Sequence, residues 1–249
     1  MNPNIAIAIL LITFVLLIMI KCPITFSMII STAFTMLYIQ VPVMTLVQQM
    51  SKQLNSFSLL AIPFFILMGE IMAAGGISSR LLAFANVCVG QITGGLAHVN
   101  VLASMLFGGI SGSAIADVSS LGALEIPMME EAGYEKDFSI AVTVASSCQG
   151  LIIPPSHNMV LYSMVAGGVS VGSLFCAGYI PGIMLGVFIM GMCYIISKKK
   201  HYPKGKKLPF KEALRVTKDT FFAMLAMVII IGGVSAGFFT ATESAAVAC

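Results

Sequence analysis

Residues 108–122 read GGISGSAIADVSSLG, a stretch rich in glycine and serine with a carboxylate near its middle. It interrupts a chain of 249 residues in which 58% are hydrophobic, 9% are charged and the mean hydropathy is +1.00. Ordinary soluble domains carry about a quarter charged residues, so this composition predicts a membrane protein. Inside a bilayer, a broken and polar backbone is tolerated only where it lines a site or is buried in protein. The break is therefore the first candidate for a functional site.

The apolar runs around this stretch predict an all-α integral membrane protein, a multi-span helical bundle, because each helical crossing needs about 20 apolar residues. An N-terminal domain, residues 1–79, holds three of these runs, at residues 5–20, 23–39 and 57–74. Residues 80–95 carry Arg80 and Gln91 on an apolar background. This mixture fits a helix that lies along the membrane interface.

The segment that contains the glycine-rich break predicts a re-entrant helical hairpin. Residues 97–124 hold two apolar stretches on either side of SGSAIAD, and neither is long enough to cross a bilayer at about 1.5 Å per residue. A hairpin that enters from the cytoplasm and returns would place its tip near the bilayer midplane. Next, residues 138–168 would cross outward, but Pro154 and Pro155 together require a discontinuous helix. Residues 80–168 are thus predicted to form one domain, made of the interfacial helix, the re-entrant hairpin and the discontinuous helix.

Positive charge fixes the expected topology. Nine of the thirteen Lys and Arg residues fall between Lys198 and Lys218, and short basic loops stay on the cytoplasmic side. A patch for nucleic acid or anionic lipid is the weaker interpretation of KKKHYPKGKK, and no nucleic-acid partner is expected. Residues 169–196, before this loop, are predicted to form a transmembrane helix. Residues 197–220 form the basic cytoplasmic linker that contains the loop, and residues 221–249 form a further unit after it.

Two interrupted segments at mid-membrane depth are typical of the site of a secondary transporter. Unwound carbonyls and hydroxyls offer the oxygen ligands that a sodium ion prefers, and exposed helix ends attract an anion. The predicted substrate and ion site contains residues of both breaks: Ser111, Gly112, Ser113, Asp117, Pro154, Pro155, Ser156, His157 and Asn158. Ser111, Ser113 and Ser156 are the candidate sodium ligands. The alternative is structural: small residues allow close helix packing, and prolines kink helices.

Three ionisable side chains admit more than one role. Asp117 is either a cation ligand or proton carrier, because an intramembrane carboxylate is costly, or a structural partner of serine hydroxyls. Glu70 lies near the end of its crossing, and a structural or interfacial role is favoured over a role in transport. His157 lies at a helix break, where it can donate to an anion or titrate.

The motifs of other functional classes are missing from the sequence. It has no nucleophile elbow and no paired catalytic acids, and GGISGSA lacks the lysine of a phosphate-binding loop. The six cysteines show neither disulfide nor metal-ligand spacing. The sequence therefore indicates a non-enzymatic protein without a cofactor, in which an ion gradient would drive transport.

Four runs in order resemble the large membrane subunit of tripartite ATP-independent periplasmic (TRAP) transporters. They are IPFFILMGEIMAAGG, FGGISGSAIADVSSLGALEIPMMEEAGYEKDFSIAVTVASS, LIIPPSHNMVLYS and LFCAGYIPGIMLG. The resemblance implies an elevator-type, sodium-coupled importer in the bacterial inner membrane, with a small membrane subunit and a periplasmic solute-binding protein as partners. The substrates it implies are carboxylates, such as C4-dicarboxylates, sialic acid or other sugar acids. It gives residues 111–117 the role of a hairpin tip and residues 154–156 that of a broken helix. It also implies that residues 80–168 are part of a transport domain.

Two features depart from that family. Its large subunit is longer, with a second inverted repeat, and GFFTATESAAVA resembles only the lead-in to that repeat. Residues 221–249 are therefore expected to cross the membrane at 221–237 and then open a truncated half, with Thr242 as N-cap. This keeps a second hypothesis open, a non-transporting remnant or a membrane scaffold for a partner subunit. The second departure is the pair His157 and Asn158, where an apolar residue is expected, and it leaves the substrate class open.

The topology predicts that Arg80 and the basic loop face the cytoplasm. In a variant without the native cysteines, Arg80→Cys and Lys211→Cys should escape a membrane-impermeant maleimide added to intact cells, because positive loops stay inside. Ser170→Cys, which precedes a helix predicted to run inward, is the matched control and should be labelled. Labelling of Arg80→Cys or Lys211→Cys from outside would contradict the topology.

Overall fold

The computed structural model describes residues 2–167, 169–205, 209–235 and 237–249. Across these ranges the elements are helices joined by turns, with no strand, which confirms the predicted all-α class. The described α-helices, in chain order, are α1 Pro3–Met19, α2 Ile24–Tyr38, α3 Met44–Leu54, α4 Ala61–Ala74, α5 Ile77–Val89, α6 Gly95–Ser111, α7 Ala114–Ser120, α8 Gly122–Glu131, α9 Lys136–Ser147, α10 His157–Val165, α11 Val171–Lys199, α12 Phe210–Ser235 and α13 Ala241–Ala248.

The chain divides into two compact units, one ending at Ser56 and the other beginning at Phe57. In the first unit, α1 and α2 pack against each other at the positions predicted from the first two apolar runs. Lys21 turns the chain between them with φ +63, and Pro23 precedes α2. The apolar runs of the sequence do not predict α3, because this helix contains no long apolar run. Its signal is a set of apolar residues at roughly helical spacing, Met44, Val47, Met50 and Leu54.

A sharp bend separates the third predicted crossing from the predicted interfacial helix. α4 follows a 3-10 turn at Phe57–Leu60, and α5 leaves α4 at an angle of 74° after two glycines. The second of these, Gly76, has φ +73, a left-handed conformation that glycine adopts at little cost. α5 packs against α6 and α12, and its orientation relative to a bilayer stays a prediction.

Both predicted breaks interrupt helices. α6 ends at Ser111, α7 begins at Ala114, and α7 and α8 pack back against α6 to make a helical hairpin. α9 ends at Ser147, a 3-10 turn follows, and α10 begins only at His157. The structure thus contains a helical hairpin and a discontinuous helix, while the entry of the hairpin into the bilayer stays a prediction.

α11 contains most of the transmembrane helix predicted at residues 169–196. Among the described residues, it is the one continuous helix long and apolar enough to cross a membrane, and α4 and α5 meet the same criterion only together. Its glycines at positions 178, 182 and 186 are all buried. A Cβ atom on Gly178 would lie 2.4 Å from the carbonyl oxygen of Ile152, in the break of the discontinuous helix. This spacing of small residues lets α11 lie directly against that break.

The helices that flank the basic loop extend into the predicted linker at residues 197–220. α11 continues to Lys199 and α12 already begins at Phe210. Lys206 and Lys207, two of the nine basic residues, lie outside the described residues. α12 also contains most of the predicted crossing at residues 221–237.

The predicted cap of the last helix is wrong. Thr240, not Thr242, is the N-cap of α13: its hydroxyl accepts from the backbone N–H of Glu243, whose carboxylate accepts from the N–H of Thr240 in return. This reciprocal pair is a capping box, and its Thr-x-x-Glu spacing was visible in the sequence. The Thr242 hydroxyl instead donates to the carbonyl oxygen of Phe57 at 3.1 Å.

Residues 200–205, which we call the Tyr202 clasp, fasten the end of α11 to the turn between α8 and α9. The Tyr202 ring stacks on Tyr134 with 4.3 Å between centroids, and its hydroxyl accepts from the backbone N–H of Glu135 at 3.3 Å. Lys200 pairs with the Glu135 carboxylate, and this hydrogen bond raises the pKa of Lys200. The aromatic contact is buried, since the exposed fraction of Tyr202 is 7%.

The same clasp also holds the turn between α5 and α6. The backbone N–H of Gly94 donates to the carbonyl oxygen of Pro203 at 3.2 Å, and that of Gly205 donates to Gly90 at 3.1 Å. Thr93 and Lys204 form an isolated antiparallel bridge between these bonds. The ends of α5, α6, α8, α9 and α11 are therefore tied together at one point.

Tyr202→Ala should lower the free energy of unfolding by about 3 kcal/mol, because it removes a buried ring and its aromatic contacts. The thermal unfolding midpoint of the purified protein in detergent measures this loss. Tyr194→Ala is the matched control, since Tyr194 is exposed on α11 and its removal should change the midpoint little. Equal midpoints for the two variants would show that the Tyr202 clasp contributes nothing to stability.

Candidate functional site

The tip of the hairpin is built by one glycine between two serines. Gly112 ends α6 with φ +61, and its N–H donates to the carbonyl oxygen of Gly108 at 2.9 Å. Ser113 is the N-cap of α7, where its hydroxyl accepts from the backbone N–H of Ala116 at 3.4 Å. The Ser111 hydroxyl lies 3.4 Å from both the N and the O atom of Ser113. The tip therefore concentrates hydroxyl and backbone oxygens.

The second break lies between the 3-10 turn Cys148–Leu151 and α10. Ser156, the N-cap residue of α10, is buried, and its hydroxyl donates to the carbonyl oxygen of Leu151 at 2.7 Å. Its side chain makes no cap hydrogen bond to the first turn of α10. The N-terminus of α10, at His157, thus has backbone donors that no capping side chain occupies.

The structure brings the two breaks into direct contact. A Cβ atom on Gly112 would lie 2.7 Å from the carbonyl oxygen of Pro155 and 3.3 Å from the backbone nitrogen of His157. One turn earlier, a Cβ on Gly108 would lie 2.5 Å from the Cα of Gly150. The distances of 2.7 Å and 2.5 Å are shorter than real Cβ contacts, so only glycine lets the two backbones approach this closely.

α4 closes a third side of this junction and leaves a cavity of about 320 Å³. Its Gly69 lies against Ser111, and its Phe65 ring lies 6.3 Å from the His157 ring. The residues that line the cavity come from α4, α6, α7 and α10: Ile66, Gly69, Glu70, Ala73, Phe107, Ser111, Ser113, Ile115, Ala116, Ser119, Ser120 and His157.

The predicted site residues fall into two groups. Ser111, Ser113 and His157 line the cavity, while Gly112, Pro155 and Ser156 form the backbone contact beside it. The others lie outside the cavity lining: Asn158 is exposed, Pro154 is buried in the break, and Asp117 is buried with 1% of its surface exposed.

Asp117 belongs to a separate buried polar cluster. Its neighbours are the Ser104 hydroxyl and the carboxylate of Glu125, which is 3% exposed. Ser104 in turn continues into hydrogen bonds that join α6 to α9: Ser104 Oγ to Ser146 Oγ at 3.1 Å, Ser146 Oγ to Asn100 Oδ1 at 2.8 Å and Asn100 Nδ2 to Thr143 Oγ1 at 2.7 Å. A role of Asp117 as an ion ligand stays a prediction.

Comparison with known proteins identifies the family. The protein-family model for the DctM component of tripartite ATP-independent periplasmic transporters matches residues 11–249 of this chain. The chain belongs to this family. Relatives such as SiaM and DctM are named as TRAP transporter permeases, so this TRAP permease chain is an inner-membrane protein of a transporter family and not an enzyme.

Three similar proteins show how much of a TRAP permease is present. The chain is 41% identical to YgiK of Salmonella typhimurium over 239 residues, which are 95% of this chain and 55% of YgiK. It is 44% identical to the sialic acid TRAP transporter large permease protein SiaM of Vibrio cholerae over 226 residues, 90% of this chain and 53% of SiaM. It is also 44% identical to the C4-dicarboxylate TRAP transporter large permease protein DctM of Pseudomonas aeruginosa over 192 residues, 77% and 45% of the two chains. The chain spans about half the length of these relatives.

The sequence favours a structural or interfacial role for Glu70, yet the structure places this residue in the cavity lining of the TRAP permease chain. The available signal was the helical spacing of α4, where the lining residues recur at intervals of three and four: Ile66, Gly69, Glu70 and Ala73. That spacing marks one face of a helix. Only the packing of α4 against the hairpin tip shows that this face meets the site.

Gly112→Ala should destabilise the TRAP permease chain by at least about 1–2 kcal/mol, because a residue with a Cβ is strained in the left-handed conformation. The clash with the Pro155 carbonyl adds to this cost. The thermal midpoint in detergent measures the effect. Gly191→Ala is the matched control, since a Cβ there meets nothing within 4 Å, and it should leave the midpoint unchanged or raise it. A Gly112→Ala midpoint equal to wild type would contradict the close approach of the two breaks.

Proposed function

We propose that this TRAP permease chain takes part in the sodium-coupled import of an organic anion, as the large permease subunit of its transporter. The observation that carries the proposal is the contact of two helix breaks beside a cavity that serines, Glu70 and His157 line in part. Such breaks are the usual places where transporters bind substrate and coupling ion, since unwound backbone at membrane depth is tolerated where it lines a cavity.

The hairpin tip supplies oxygen atoms for sodium. Ser111 and Ser113 both line the cavity, and the Ser111 hydroxyl lies 3.4 Å from the carbonyl oxygen of Ser113. Ser156 lies in the adjoining break, where its hydroxyl donates a hydrogen bond to the carbonyl oxygen of Leu151. The lone pairs of the Ser156 oxygen stay available to bind a cation. Hydroxyl and carbonyl oxygens suit a hard cation such as sodium.

The N-terminus of α10 supplies the attraction for the anion. The helix is nine residues long, has no side-chain cap and begins with His157 at the cavity. A helix N-terminus carries partial positive charge and free N–H groups, which together favour a carboxylate. Sodium at the neighbouring tip would add positive charge, so binding of the two ions would be mutually favourable.

The relatives support the substrate class and the partners. The names of SiaM and of Pseudomonas DctM give sialic acid and C4-dicarboxylates as their substrates, and both are carboxylates. We infer the same class for this chain, with a small TRAP membrane subunit and a periplasmic solute-binding protein as partners. We further infer an elevator motion, in which the hairpin and the discontinuous helix move together as one body.

Ser113→Ala in the assembled transporter should raise the sodium concentration needed for half-maximal uptake by about tenfold, because it removes one oxygen ligand worth roughly 1.4 kcal/mol. Uptake of radiolabelled N-acetylneuraminate and succinate into proteoliposomes measures this. Ser173→Ala, an exposed serine on α11, is the control and should behave as wild type. Unchanged uptake and unchanged sodium dependence in Ser113→Ala, with normal membrane insertion, would exclude the sodium site at the hairpin tip.

A further inference from the structure

Glu70 contributes the one carboxylate among the described residues that line the cavity. It lies on the face of α4 whose Gly69 contacts Ser111 at the hairpin tip. The rest of the described lining contains serines, apolar residues and His157, with no Lys or Arg. Among its described residues, this chain therefore contributes a carboxylate, and no cationic side chain, to the place where an anion is expected.

The Glu70 carboxylate discriminates between anions. A dicarboxylate held by one carboxylate at the N-terminus of α10 would bring its second carboxylate into a cavity that already contains Glu70. Like charges repel, and although Glu70 is exposed and water screens part of this repulsion, the two carboxylates would share one cavity, well within the screening length of physiological salt. A hydroxyl group carries no charge and donates to a carboxylate in a charge-assisted hydrogen bond, which is stronger than a neutral one. The cavity chemistry thus favours hydroxyls over a second carboxylate.

His157 offers a further polar atom to the same ligand. Its Nε2 atom is buried and has no hydrogen-bond partner within the part of the chain that the structure describes. A buried polar atom without a partner is costly, and a ligand hydroxyl or carboxylate at the cavity would satisfy it. Ser119 and Ser120 add two hydroxyls on the α7 side of the lining.

We propose that Glu70 and His157 are specificity-determining residues that select a polyhydroxylated monocarboxylate, a sugar acid, over a dicarboxylate that lacks hydroxyls. Glu70 accepts hydrogen bonds from the hydroxyls of the sugar acid. Its negative charge excludes a second carboxylate, and His157 binds the end of the ligand nearest to α10. This inference rests on the proposed function and narrows its substrate class.

Ligand binding to the purified full-length permease tests this, with D-gluconate and adipate as probes of equal carbon number. Thermal shifts in saturating NaCl give the two dissociation constants, because a ligand that binds the folded state raises the unfolding midpoint. Wild type should bind D-gluconate at least tenfold more tightly than adipate. Glu70→Gln should narrow that ratio to about twofold, and the exposed Glu130→Gln should leave it unchanged.

A second pair of variants tests His157. His157→Phe should weaken D-gluconate binding about tenfold, and His157→Gln, which keeps a polar group, should weaken it less. The inference is overturned if neither probe shifts the midpoint, if adipate binds as tightly as D-gluconate, or if both Glu70→Gln and His157→Phe keep the wild-type ratio. Any of these results alongside intact sodium-dependent uptake would contradict the sugar-acid selectivity and would not contradict the proposed transport function. Uptake that does not depend on sodium would contradict the proposed transport function itself.

Discussion

The backbone N–H and carbonyl groups at the two helix breaks need partners, and this need is the constraint on which the rest of the structure depends. Inside a bilayer no water is available to bond an exposed N–H or carbonyl group, so a helix break must be covered by protein or must line a site. Here the hairpin tip and the discontinuous helix cover each other. Gly112 lies against Pro155, and Gly108 lies against Gly150, so the absence of side chains brings the two backbones together. The glycines of α11 cover the same break from another side.

The contact between the hairpin tip and the discontinuous helix leaves one side of their junction open, and α4 borders that open side. The resulting cavity combines serine hydroxyls, an uncapped helix N-terminus and a carboxylate. In the proposed function, a sodium ion would bind the serine and backbone oxygens and an organic anion would bind at the helix N-terminus. Each bound charge would then favour binding of the other, which is the proposed origin of coupling.

The exposed carboxylate of Glu70 and the buried carboxylates of Asp117 and Glu125 have different surroundings. Glu70 lies at the cavity, where a ligand can reach it. Asp117 and Glu125 lie in the interior beside the hydrogen-bonded residues of α6 and α9, away from the cavity lining. An ionised carboxylate is costly in such surroundings, and two close together are costlier still. The proposed ligand recognition therefore involves Glu70, while a role of Asp117 as an ion ligand or proton carrier stays a prediction.

The sequence by itself determined the helical class, the positions of the long apolar helices and the two breaks, because apolar runs, glycine and proline act locally on the backbone. It also carried signals that local reasoning missed, namely the helical spacing in α3 and the Thr-x-x-Glu box at Thr240. Tertiary structure alone decided that Glu70 lines the cavity and that Asp117 does not. The physical reason is that both are intramembrane carboxylates in the sequence, and only the packing of α4 and α7 against α6 fixes which of them faces open space and which faces other side chains.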